Sequence, residues 1–294
     1  MRDAPQERWI PCNLCGSLDL RALFRARRSG RQVVRCRRCG LVFYEPQPLS
    51  QQIAGLYSDT YFEREFPADQ AATQIDLIQR RLARIEGEIG IGRLLDVGCG
   101  VGRFLLVARQ RGWEAVGLDV APAAVQQAAA NSGAVVLHGD LSRARPAGMA
   151  PFDVVSMWDV FEHLMDPVGD LRRVHHWIRP GGLVVIQTQN ANGVTAAWMR
   201  RRWEQFVEYH LFHFSTRTLR LALDAAGFEQ TVIEDSRGFS RSAPAASSPL
   251  PSATRGFGRS LGDRLRRVRD LAFISCGYDP YNIMVATARC PQRE

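Results

Sequence analysis

Between Arg93 and Thr188, short apolar runs alternate with stretches of helical periodicity, and this alternation limits the fold more than any other feature. Strands separated by helices pair in parallel, so the pattern predicts an α/β domain with helices on both faces of one sheet. The expected strands are Leu94 to Val97, Trp113 to Leu118, Ala134 to His138, Phe152 to Met157 and Gly182 to Thr188. Helices are expected over Arg103 to Arg111 and from Ala121 onward. A polar residue follows almost every strand, at the carboxyl edge where open α/β sheets bind their ligands.

The first strand runs into Gly98-Cys99-Gly100-Val101-Gly102, preceded by Asp96. A dinucleotide fingerprint would need a small residue where this chain has Arg103, so no pyrophosphate is implied. Asp119 ends the second strand, where a carboxylate can accept both hydroxyls of a ribose. Asp140 ends the third, placed to accept from an adenine amino group, and Cys99, Val120 and Leu141 are the neighbours that complete the cradle. One acid for ribose, one for base and a tight glycine turn describe a nucleoside ligand without phosphates.

Before this domain, Cys12-x-x-Cys15 and Cys36-x-x-Cys39 form two knuckles with apolar stretches between them. Such spacing lets four thiolates close around one structural zinc, as in a zinc ribbon; a pair of disulfides is the alternative, disfavoured in a reducing compartment. A closed four-thiolate site has no open position for catalysis, so its expected role is to hold residues 1–50 together. The arginines flanking the second knuckle (Arg35, Arg37, Arg38) lack the interleaved aromatics of a nucleic-acid surface.

The run Leu94 to Phe104 resembles the first motif of class I S-adenosylmethionine (SAM) dependent methyltransferases. Gly117-Leu118-Asp119, His138-Gly139-Asp140, Phe152 to His163 and Ile178 to Gly182 are similar to the later motifs, in order. The resemblance implies a Rossmann-like, seven-stranded sheet whose final strand, near Tyr281 to Ala288, is antiparallel, with SAM across the ends of the first strands. With its cysteine module, the chain resembles bacterial sugar and natural-product methyltransferases, some acting on deoxysugar carbon. The implied organisation is a zinc module (1–50), a helical linker and cofactor cover (51–92), the SAM-binding core (93–236), an insertion (237–276) and a last strand with tail (277–294).

Methyl transfer is an in-line displacement, so the acceptor must be held and, where needed, relieved of a proton. Trp158 is a candidate face for the sulfonium. Asp159, Glu162 and His163 form the densest ionisable cluster, and if Asp159 opens a helix they share a face. Glu162 and His163 are catalytic candidates. The trio also resembles the divalent-metal cluster of ubiquinone-pathway O-methyltransferases, with Asp in place of the first Glu. A second cluster, Glu208 to Ser215, offers Tyr209 for the acceptor pocket and His210 or His213 as base, with Ser215 as a helix N-cap. The preceding stretch from Gln189 to Trp203 is expected to cover the site, and Tyr57, Tyr61 and Phe62 to wall it.

Charge separates the regions. All 38 basic residues are arginine, and the net +8 is the balance of +6 over residues 1–50, −4 over 51–236 and +6 over 237–294. An enzyme core with basic attachments fits this better than a nucleic-acid-binding protein, so a small-molecule acceptor is expected and no nucleic acid. Residues 255–273 form a basic amphipathic segment that packs on the core, meets a partner or rests on anionic lipid. No apolar run reaches the roughly 18 residues that span a bilayer, which points to the cytoplasm, with contact at the inner face of the membrane through that segment. The rival readings are a zinc-containing RNA-binding protein or RNA methyltransferase, and a membrane-recruited scaffold in glycan assembly. The chain has Asp159-Val160-Phe161-Glu162 where base N-methylating enzymes carry an amine-binding motif, which argues against the former. Oligomeric state has no signature in the sequence.

Overall fold

The computed structural model describes residues 9–48, 71–142, 151–241 and 282–292. The aromatic residues Tyr57, Tyr61 and Phe62 and the basic segment 255–273 lie outside them. None of the helices described is long and apolar enough to cross a membrane.

The first elements are three short strands, β1 (Leu20–Arg25), β2 (Gln32–Cys36) and β3 (Val42–Tyr44). The helix α1 (Ala71–Ile89) leads into the α/β domain: β4 (Arg93–Val97), α2 (Arg103–Gln110), β5 (Glu114–Asp119), α3 (Pro122–Ser132), β6 (Val135–His138), β7 (Phe152–Trp158), α4 (Pro167–Trp177) and β8 (Ile178–Gln189). Then come α5 (Val194–Met199), β9 (Phe212–His213), α6 (Thr216–Ala225), β10 (Glu229–Asp235), α7 (Ser236–Arg241) and β11 (Ile283–Arg289). Seven strands form one sheet in the order β10-β11-β8-β7-β4-β5-β6, with β4 to β8 parallel and β11 antiparallel to both its neighbours. This is the Rossmann-like sheet of class I methyltransferases, with the antiparallel last strand in its expected place. The fifth parallel strand, β8, begins at Ile178, four residues before the expected Gly182, because the Arg179 to Gly182 passage is carried into the sheet with an irregular register.

Local sequence sets the helix ends. Pro122 and Pro167 open α3 and α4, where a missing N–H costs nothing. Asp166 caps α4, accepting from the Gly169 N–H at 3.2 Å. Ser215 caps α6 in a reciprocal box with Thr218, the kind of cap that contributes about 1 kcal/mol.

Burial splits into three regions. On one sheet face, α1 and α2 bury Leu82, Ile85, Phe104 and Leu105 against Leu94 and Val154. On the other, Leu95, Val97, Val155 and Ile186 pack with Leu171, Phe214 and Leu219, and this core runs without a break into Cys12, Cys36, Cys39, Leu41 and Phe43 of the cysteine module. Some fifty residues cannot bury enough apolar surface alone; here they share the core of the larger domain. The third region seals the seam: Val33, Val42 and Tyr44 of the module pack against Trp203 and Phe206 of the segment after β8.

That seam includes a backbone ladder. β9 joins the module's strands as the fourth member of a sheet ordered β1-β2-β3-β9, with Val42 opposite His213 and Phe43 opposite Phe212. Asn13, inside the first knuckle, adds a second tie: it donates to Asp166 at 2.8 Å and accepts the Val168 N–H at 3.1 Å.

Candidate functional site

The glycine loop between β4 and α2 takes positive φ at Gly98 (67°), Gly100 (52°) and Gly102 (80°). A Cβ at Gly98 would stand 2.4 Å from a Val160 methyl, and one at Gly102 would stand 2.8 Å from the Ala128 backbone. Sterics therefore demand glycine twice over, by backbone conformation and by space. Gly98 is exposed, leaving its backbone open to a ligand.

Asp119, at the end of β5, is buried and binds the loop: Oδ2 accepts the Gly100 N–H and Oδ1 the Ala121 N–H, each at 2.9 Å. Each oxygen keeps a further lone pair for a ribose hydroxyl. Burial raises the pKa of this carboxyl, and the backbone donors oppose the rise. Beside it Val120 stands 46% exposed, an apolar face at the mouth of the cradle. Asp140 is exposed, and its Oδ1 accepts the Ser142 N–H at 2.8 Å. Asp96 is buried and accepts from Ser156 Oγ at 2.7 Å; burial pushes its pKa up to about 7, reinforced by nearby Asp119. Asp96 therefore braces the cradle from below. Cys99 and Leu141 are buried. The exposed glycine backbone, the residual acceptors of Asp119 and the half-open Val120 suit a nucleoside portion, so the residues fit SAM.

Trp158 departs from expectation. The Arg81 guanidinium of α1 stacks over its ring at 4.3 Å, with Phe104 and Phe239 alongside. One aromatic face is thus already used by a cation, and sequence offered no sign of it because Arg81 lies in a helix 77 residues earlier.

The ionisable cluster also differs from its expected form. Asp159 does not open a helix; it sits at φ 56°, and its carboxylate accepts from Gln187 at 2.5 Å and Gln189 at 3.4 Å. The turn that follows is a short 3-10 helix over Phe161–His163. Glu162 points inward, fully buried, and accepts from Thr188 Oγ1 at 2.8 Å, while its Oε1 is 4.0 Å from His163 Nε2. The third member is His210, not Asp159: ligand-capable atoms of Glu162, His163 and His210 lie within 4.8 Å of one another. The His163 ring stacks on Tyr209 at 5.4 Å and meets His210 edge-on at 4.8 Å. Nδ1 of His210 is 2.9 Å from the Gln205 carbonyl, so the proton sits there and Nε2 keeps its lone pair.

Desolvation decides the charge states. Burial, then repulsion from Asp159, pushes Glu162 up to about 8, so at neutral pH it is largely a protonated acid. Burial brings His210 down to about 4, and burial with His210 nearby drives His163 well below the ordinary histidine value. Both imidazoles are neutral at pH 7. His213 is excluded from this group by position. It is buried in β9 among Tyr44, Trp203 and Phe206, where it packs the seam with the cysteine module. The stretch from Gln189 to Trp203 likewise packs on that module, through Ala196 and Met199.

The four thiols converge as expected. Cys12 and Cys39 sulfurs are 3.4 Å apart, Cys15 and Cys36 sulfurs 3.5 Å, and all four lie within 4.8 Å. Tetrahedral zinc with bonds near 2.3 Å would set sulfurs about 3.8 Å apart, so a small relaxation admits the ion. Burial raises Cys12 and Cys39, whereas the Cys39 and Arg38 N–H groups and the Cys15 thiol overcome burial at Cys36 and bring it to about 7. A bound cation would draw the rest toward thiolate.

Residues 64–233 match the methyltransferase domain family. The chain belongs to that family. Among relatives of this methyltransferase chain is the ubiquinone biosynthesis O-methyltransferase of Pseudomonas aeruginosa strain LESB58, 33% identical over 124 residues, covering 40% of this chain and 53% of the relative. That of Cereibacter sphaeroides strain KD131 is 33% identical over 133 residues, covering 39% and 54%. The chain spans about half the length of these curated relatives. In fold it is similar to a SAM-dependent methyltransferase from Archaeoglobus fulgidus (TM-score 0.53, 19% identity, 78% of this chain and 98% of that one). It is also similar to phosphoethanolamine N-methyltransferase 2 of Haemonchus contortus (TM-score 0.50, 17% identity, 72% and 52%).

Sequence reasoning missed Gln187 and Thr188, at the end of β8. Gln187 accepts from Ser236 Oγ at 2.9 Å and also bonds Arg81 and Asp159, and Thr188 holds Glu162. The signal was present: Gln187-Thr188-Gln189-Asn190 stands at a strand's carboxyl end, the criterion applied to the four strands before it.

Proposed function

We propose that the chain is a SAM-dependent methyltransferase that methylates a hydroxyl of a small-molecule acceptor: a glycan, a nucleotide-linked sugar or a natural-product intermediate. The observation that carries the reading is the joined cradle of Asp119 and the Gly98 to Gly102 loop, inside a chain of the methyltransferase domain family. When bound, SAM supplies an electrophilic methyl on a sulfonium. The chain's own residues then have three tasks: to hold the nucleoside, to hold the acceptor in line, and to take its proton.

The charge states favour oxygen over carbon as the methylated atom. A neutral imidazole whose pKa is near 4, as at His210, is a weak base. It can take a proton only from a group made acidic as the reaction proceeds, and a hydroxyl becomes such a group as the new O–C bond forms. A carbon beside a carbonyl must lose its proton first, which needs a stronger base. In this reading His210 Nε2 or His163 accepts the proton, Tyr209 orients the acceptor, and Glu162, protonated and tied to Thr188, positions His163. The relatives named as O-methyltransferases are consistent with this choice.

A second reading uses the same three residues. Glu162, His163 and His210 could hold a divalent ion, which would acidify a hydroxyl directly. Loss of turnover on chelation, restored by added metal, would favour it over direct proton transfer.

Titration calorimetry with SAM and S-adenosylhomocysteine tests the main reading. Both should bind, and Asp119→Ala should weaken SAM about a hundredfold, the effect of losing two hydrogen bonds to a charged acceptor. Binding of NAD without SAM would overturn it.

A further inference from the structure

A cleft of about 630 Å³ opens where the cysteine module meets the segment after β8, lined by Phe24, Trp198, Met199, Arg200, Arg201 and Arg202. Its size is that of a small-ligand site. Phe24 comes from β1 of the module and the other five from the α/β domain, so neither part forms the cleft alone. Two hydrogen bonds hold the walls together: the Arg27 backbone N–H donates to the Arg201 carbonyl at 3.1 Å, and the Arg28 guanidinium Nη1 donates to the Glu204 carbonyl at 3.4 Å.

Charge and shape here are both unusual. Residues 20–36 and 194–208 together carry nine arginines and two acids, close to the whole net charge of the chain. Arg200, Arg201 and Arg202 are exposed, and none forms an ion pair among the described residues. Trp198, which lines the same cleft, stands 80% exposed, while Phe24 is backed edge-on by Phe206 at 5.3 Å. Consecutive residues of a 3-10 turn project about 120° apart, yet all three arginines line one cleft. The chain leaves regular geometry at Arg200, with φ 49° and ψ −125°, a conformation that non-glycine residues rarely adopt.

We infer that this cleft binds a nucleoside diphosphate, with its base laid on Trp198 and its phosphates gripped by Arg200, Arg201 and Arg202. Guanidinium forks match phosphate oxygens in pairs, and an exposed indole is a stacking surface for a single base. A nucleic-acid strand would call for successive aromatics along an extended groove, and an anionic membrane for an outward apolar face in addition to the cations; the cleft instead gathers Trp198, Phe24 and Met199 with three arginines around one pocket. That the bound nucleotide is the handle of the methyl acceptor rests on the methyltransferase reading; that the cleft binds it does not. The cysteine module then has a task beyond its own folding, since it supplies one wall.

Calorimetry on the full, zinc-loaded chain tests this with uridine, guanosine and thymidine diphosphates, inorganic pyrophosphate, a single-stranded oligonucleotide and vesicles containing an anionic lipid. At least one nucleoside diphosphate should bind, more weakly as salt rises. Its affinity should fall about tenfold or more in Trp198→Ala and in Arg201→Ala/Arg202→Ala. These exposed positions should leave zinc content, melting temperature and SAM affinity unchanged. The inference is overturned if no nucleoside diphosphate binds, or if pyrophosphate binds as tightly and Trp198→Ala has no effect, or if the oligonucleotide or vesicles bind more tightly through the same arginines. Failure of the wild-type chain to bind SAM would instead overturn the methyltransferase reading.

Discussion

The two ends of the site are built by opposite means. The proposed cofactor cradle is local: Gly98 to Gly102 and Asp119 come from adjacent parallel strands, and 2.9 Å hydrogen bonds to backbone N–H groups lock them together. The proposed acceptor side is assembled across the chain. Glu162 and His163 meet His210 from a segment far along the sequence, and that segment is anchored by β9 to strands from the first fifty residues. Local geometry makes the first end depend on few side chains, whereas docking makes the second sensitive to damage remote from the chemistry.

The sharpest way to break this contrast is at the cradle. Gly98→Val places a branched side chain at φ 67° and into Val160. SAM affinity should fall at least about a thousandfold, or roughly 4 kcal/mol, with zinc retained at full stoichiometry. A variant that still binds SAM normally would show that the loop is not the cofactor's seat.

Proton transfer comes next in size. His210→Ala and His163→Ala should each lower kcat by about a hundredfold, with SAM affinity unchanged. Because both imidazoles are held well below the usual histidine value, the wild-type rate should persist down to pH 5.5, where an ordinary histidine base would already be mostly protonated. A kcat profile falling with a midpoint near 6.5 would assign the base elsewhere.

Cys36→Ser tests the long-range arm of the comparison. Losing one thiolate should lose the zinc and loosen β2, β3 and the β9 seam, shifting Tyr209 and His210. Turnover should fall about tenfold to a hundredfold, the scale of a 1 Å misplacement, while SAM affinity stays within about threefold. Damage to SAM binding as severe as that of Gly98→Val would erase the division between the ends.

The smallest effect concerns Glu162. Its folded pKa of about 8 exceeds the ordinary 4.5, so folding takes up a proton and the wild type loses stability as pH rises between those values. Glu162→Gln stays neutral. Its melting temperature should gain a few degrees relative to wild type at pH 8 compared with pH 5; a constant difference would mean that Glu162 is not held as a buried acid.

Legibility followed the same divide. The glycine loop, Asp119 and the parallel strands that carry them could be read because each rests on neighbours within one βαβ unit. The four cysteines could be read because tetrahedral thiolate chemistry leaves few other uses for two such knuckles. At Asp159, helical spacing misled: a residue at φ 56° before a 3-10 turn does not share the face of Glu162 and His163. Of the two alternative bases His210 and His213, strand pairing with Val42 buries His213 in a seam.

The amino-acid sequence by itself determined the class of sheet, the glycine loop after its first parallel strand and the cluster of four thiols, because periodicity and short-range spacing act through the local backbone. Only the tertiary structure decided that the cysteine module shares the main core, that β9 crosses into its sheet, and that His210 completes the group with Glu162 and His163. Those outcomes depend on which apolar faces find one another when the chain collapses. Burial then sets the charge of each histidine and carboxyl, and no residue's burial can be read from its own neighbours in sequence.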